Sequence, residues 1–127
     1  MANVATRVTT TLYRFMSGFG LEAYPETNVP DDAVLPYLTY TVPVPEWESG
    51  TTLQIRLWYK DTSFVAINKK TDEIMNKVGG GLVLYTDEDR TGALYLSPGN
   101  PFAQYQPVGD PSMKIAYINL DFYAFLG

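Results

Sequence analysis

The sequence predicts an α+β domain: a mostly antiparallel sheet with two helices packed on one face, joined by long proline-rich loops. Three observations predict it. Two stretches carry a 3.6-residue apolar period, several others alternate with period two, and nine prolines and ten glycines punctuate the intervals. At 127 residues the chain reads as one domain, 1–127, long enough to bury roughly 65–70% of its unfolded surface. No internal repeat or interdomain linker is visible.

In chain order, residues 3–17 place Val4, Val8, Leu12, Phe15, Met16 and Phe19 on one helical stripe, with Arg7 and Arg14 off it. Asn3 suits the N-cap, and Gly18 and Gly20 supply the stop. Residues 21–24 form a short strand. Pro25 and Pro30 then enforce an irregular crossing, because proline lacks an amide donor and holds its predecessor extended. Next comes a strand in which Leu38, Tyr40 and Val42 alternate with Tyr37, Thr39 and Thr41, and which Pro43 and Pro45 end or confine to an edge. Residues 46–50 are a loop. Residues 51–60 are the clearest strand: Leu53, Ile55, Leu57 and Tyr59 face inward, and Thr52, Gln54, Arg56, Trp58 and Lys60 outward. Asp61, Thr62 and Ser63 offer caps to a second helix whose inner face is Phe64, Ile67, Thr71, Ile74 and Val78; Gly79, Gly80 and Gly81 stop it. Residues 82–85 and 93–96 are short strands flanking an acidic connection. Residues 97–111, with four prolines and two glycines, read as a loop with at most a short extended piece around 102–106. Residues 114–125 alternate as a long closing strand.

The composition removes whole classes of function. There is no histidine and no cysteine, which takes away the commonest general base, the commonest metal ligand, disulfides and thiolate sites together. Nine basic against fourteen acidic residues give a net charge of −5, so a general affinity for duplex nucleic acid is not expected. No apolar run is long enough to span a bilayer, and the N-terminal residues lack the pattern of a secretory signal. The chain is therefore expected to be soluble, without a membrane partner. The three glycines at 79–81 follow a helix instead of preceding one, so they are a helix stop and not a phosphate loop. Asp87, Glu88 and Asp89, like Asp31 and Asp32, lack the alternating ligand spacing of a calcium loop and read as solvated turns. Ser63, Ser97 and Ser112 have no histidine partner, and no carboxylate pair stands out. No catalytic residue, cofactor or metal is expected, and the chain is not read as an enzyme.

What remains is a surplus of contact-forming side chains, ten tyrosines and two tryptophans among them. Trp47 lies between Glu46 and Glu48 in the 46–50 loop, either folded back on the sheet edge or free as a docking residue. Trp58 stands between Arg56 and Lys60 on the polar side of its strand, either stapled by a cation–π contact or an anchor for a neighbouring subunit. Phe102 and Tyr105 make the late loop, uncharged until Asp110, a second candidate surface.

Four landmarks carry a resemblance across most of the chain: the opening helix leading into LEAYPETNVP, the strand PYLTYTVPV, the strand TTLQIRLWYK running into SFVAINKKTDEIMNKV, and the close SPGNPFAQYQPVGDPSMKIAYINLDFYAF. In this order they resemble the tail terminator (tail completion, head–tail joining) proteins of long-tailed bacteriophages. The resemblance implies an α+β subunit of a homo-oligomeric, hexameric ring located in the virion tail or neck and assembled in the host cytoplasm. Such a ring caps the tail-tube protein, ends tube polymerisation, meets a head–tail connector protein, and lets DNA pass through a lumen whose acidic lining repels it. The interface candidates Trp47, Arg56, Trp58, Phe102 and Tyr105 rest on the residues themselves, not on a family motif. Two alternatives stay open: a head-side connector or adaptor of a tailed phage, and a monomeric ligand-binding α+β domain.

Overall fold

The structure is a computed structural model and describes residues 4–42 and 51–126. Its elements are α1 (Val4–Ser17), β1 (Glu22–Pro25), β2 (Tyr37–Tyr40), β3 (Thr51–Lys60), α2 (Val65–Val78), β4 (Leu82–Tyr85), β5 (Gly92–Gln106) and β6 (Met113–Leu126). The strands form one six-stranded sheet in the order β1-β2-β3-β6-β5-β4. Among the described residues the β1–β2 pair is parallel and the other four pairings are antiparallel. The chain is thus a mixed α+β domain on a mostly antiparallel sheet.

Alternation builds the core. Leu53, Ile55, Leu57 and Tyr59 of β3 are buried, and so are Ala116, Ile118, Leu120, Phe122 and Ala124 of β6. The register sets Leu53 opposite Leu120, Ile55 opposite Ile118 and Leu57 opposite Ala116, so these side chains stack as cross-strand pairs. Val8, Leu12, Phe15, Met16 and Phe19 of the α1 segment and Ile67, Ile74 and Val78 of α2 join the same cluster. Full burial of each large side chain contributes about 1.5–3 kcal/mol. Lys70 ties the helices together, donating from Nζ to the Phe19 carbonyl and to Glu73 at 3.1 Å.

Three expectations are corrected. Residues 97–106 are not a loop: β5 continues through them and pairs with β6 on both sides of an irregularity between Pro98 and Ala103. β4 flanks only residues 93–96, so beyond that point β5 is an edge, where a missing proline donor costs no ladder bond. Gly99 belongs to the bulge because a Cβ there would lie 2.8 Å from the Asn119 carbonyl oxygen. Phe64 is not on the inner face of α2; it sits at the N-cap, 44% exposed, and packs on Tyr105 at 4.6 Å. Finally, β2 ends at Tyr40 instead of Val42, although Thr41 still donates its N–H to Gln54 and accepts the Gln54 N–H on Oγ1. The expected N-cap Asn3 and the segment 43–50 lie outside the described residues.

Candidate functional site

Between the core positions, the alternate residues of each strand form the second face of the sheet. At one end, β1, β2 and β3 bring together three aromatic side chains. Tyr24 meets Tyr37 edge-on at 5.7 Å, and Tyr37 stacks on Trp58 at 6.0 Å with the planes 24° apart. The Trp58 indole N–H donates to Thr39 Oγ1 at 2.9 Å, which fixes the ring in one orientation. Beside it, the Arg56 guanidinium lies 4.6 Å over the Tyr117 ring and 3.1 Å from Glu26. Gln54 and Asn119 join across the strands at 3.1 Å.

The other end of the face is apolar and open. The register aligns Val83 with Tyr95 and Tyr95 with Tyr123, then Tyr85 with Ala93 and Ala93 with Phe125. Val83, Ala93, Tyr95, Tyr123 and Phe125 line a shallow dish of about 420 Å³. Val83 is 47% exposed and Phe125 is 53% exposed, so large apolar side chains here face solvent. Along the edge of β4 the dish adjoins a larger open groove, about 720 Å³, between that edge and the C-terminal turns of both helices. Its apolar lining is Phe15, Phe19, Val83, Leu84 and Tyr85, and its charged residues are Arg14, Lys77 and Glu73. Glu73 is already engaged by Lys70, whereas neither Arg14 nor Lys77 forms an ion pair among the described residues. β4 is a four-residue edge strand, so one row of its backbone N–H and C=O groups points away from the sheet.

Among the sequence candidates, Arg56 and Trp58 lie side by side on the second face, each with partners within its own chain. Arg56 sits over Tyr117 and Trp58 is stacked on Tyr37, so the two do not form the cation–π staple with one another. Phe102 and Tyr105 belong to β5. Phe102 is half-buried against the core, and Tyr105 donates its hydroxyl to Asn68 of α2. Trp47 lies outside the described residues. Sequence reasoning missed the dish and the β4 edge. Their alternation was readable in residues 82–85 and 114–125, but not that β5 and β6 bring the outward sets side by side.

Among the described residues, three titratable side chains stand out by their surroundings. Burial pushes the Tyr40 hydroxyl above its ordinary value, and that oxygen has no hydrogen-bond partner. Asp87 is held below the usual carboxylate range by the Thr91 hydroxyl and then by the Thr91 N–H. Asp110 is lowered likewise by the Ser112 N–H at 2.9 Å and hydroxyl at 2.8 Å. Both acids lie in turns, Asp110 exposed and Asp87 half-buried. Among the described residues there is no group of three or more acidic side chains arranged to hold a metal ion. No helix described is long and apolar enough to cross a membrane.

No protein-family profile matches this sequence, and no curated protein matches it. Among solved structures, a chain of the "Virion of native gene transfer agent (GTA) particle" shares its fold. That similarity has a TM-score of 0.64 and covers 98% of both chains at 16% sequence identity. Agreement over nearly the whole of both chains, at so low an identity, is a likeness of fold.

Proposed function

We propose that this chain is a structural virion protein, one subunit of a ring at the head-proximal end of a tail tube. There it ends tube polymerisation and provides the surface that joins tail to head. The observation that carries this reading is the whole-chain likeness of fold to a chain of a gene transfer agent virion. The order of the four sequence landmarks supports the same reading independently. So does the surface: its exposed chemistry is aromatic and apolar, suited to burial against other proteins.

In this role the partners are further copies of the chain, the tail-tube protein and a connector on the head side. DNA only passes through the lumen, which the net charge of −5 suits. Trp58 and Arg56, held by Thr39, Tyr37, Tyr117 and Glu26, are pre-organised contact residues that lose little freedom on binding. Phe102, Tyr105 and Trp47 complete the proposed contact set.

Deletion of the gene in the particle-forming parent tests the role. The expected phenotype is filled heads unjoined to tails, with tails of abnormal length. Head-attached tails of normal length would rule the role out. Joined failure with tails of normal length would move the chain to the head-side connector.

A further inference from the structure

We infer that a second copy of this chain docks the tip of its β1–β2 loop, Asp31 to Val34, in the groove beside β4. The inference rests on the ring reading and names the contact that closes the ring. The groove calls for an occupant that is acidic and apolar at once. Phe15, Phe19, Val83, Leu84 and Tyr85 give it an apolar lining. Arg14 and Lys77 in the same lining are exposed, and neither forms an ion pair among the described residues. Two unmatched cations beside apolar surface are complemented by carboxylates that stand next to an apolar side chain.

The loop presents that combination. Ala33 donates its N–H to the Pro30 carbonyl at 3.1 Å, closing a turn with Asp31 and Asp32 at its two central positions. Both acids are exposed, and neither forms an ion pair among the described residues. Val34 follows them and is 77% exposed, more than any other large apolar side chain described. A lone exposed valine is ordinary; its place beside two unmatched carboxylates is what fits the groove. The base of the loop is fixed, since Glu26 donates its N–H to the Tyr40 carbonyl at 2.8 Å and pairs with Arg56, and Asn28 donates to the Pro25 carbonyl at 2.9 Å. The tip therefore loses little freedom on docking. A second acidic segment, Asp87 to Asp89, fits less well: it has no apolar side chain, and Asp87 is already held by Thr91. No residue of the β1–β2 loop lines the groove of its own chain, and β1 and β4 are the two ends of the strand order. Because the supplying and receiving surfaces differ, the contact is head-to-tail and generates a ring when its rotation closes.

The test uses the full chain and two charge-reversed variants, R14E/K77E and D31K/D32K, with assembly followed by light scattering and native mass spectrometry. All four positions are exposed, so their reversal is compatible with folding. Each variant alone is expected to assemble about tenfold more weakly than wild type. An equimolar mixture restores an opposite-charge contact at every junction, and is expected to recover assemblies in which the two masses alternate. Since the chain has no cysteine, V34C and V83C chains provide a second readout independent of charge. Mixed and oxidised, they are expected to give a disulfide-linked dimer of one of each, in excess over either homodimer. Variants that assemble like wild type overturn the contact, as does a mixture that assembles no better than its components or a missing mixed dimer. Rescue seen only when all four reversals share one chain places the contact within a single copy and also overturns it. A wild-type chain that stays monomeric at every concentration overturns the contact too, while the deletion phenotype judges the neck role separately.

Discussion

Phe122 and Trp58 show how single side chains support the two faces of the sheet. Phe122 is fully buried on β6, opposite Thr51 and Leu96. Phe122→Ala is expected to lower the unfolding free energy by about 3–5 kcal/mol in denaturant titration, the range for emptying an aromatic core site. Trp58→Phe keeps a ring to stack on Tyr37 but removes the donor to Thr39, a residue only 3% exposed. Leaving that hydroxyl without its donor is expected to cost about 1–3 kcal/mol, and Trp58→Ala more, since the stack goes as well. The burial of Phe122 was legible from period-two alternation alone. The partners of Trp58 were not, because Tyr37 and Thr39 become its neighbours only through the β2–β3 register.

At the level of elements, α1, β1, β3, β4 and β6 were readable to within a residue or two, because each is bounded by glycine, proline or a polar turn. β5 was not. Four prolines and two glycines in residues 97–111 signal a loop, yet the chain stays paired because a bulge and an open edge absorb the missing donors. The two turns that bracket β5 give a pH-dependent signature. Hydrogen bonds from Thr91 and Ser112 depress the folded-state pKa values of Asp87 and Asp110, so their contribution is present above the unfolded value and lost as pH falls through the folded one. Stability is therefore expected to decline on acidification below the ordinary carboxylate range, about pH 4. The D87N/D110N variant should decline less steeply in urea midpoints measured across that range.

For the whole molecule, residues of both helices join the core cluster with the inward residues of the sheet, while aromatic and apolar groups of β4, β5 and β6 reach solvent. The dish and the groove were beyond the sequence, because they are assembled from α1, α2, β4, β5 and β6, which are distant along the chain. The central claim is a position in the particle, and labelling tests it most directly. Purified particles carrying a gold-tagged copy of the chain, imaged by electron microscopy, are expected to show label only at the junction of head and tail. Label spread along the tail, confined to the head shell or missing from intact particles would contradict the account.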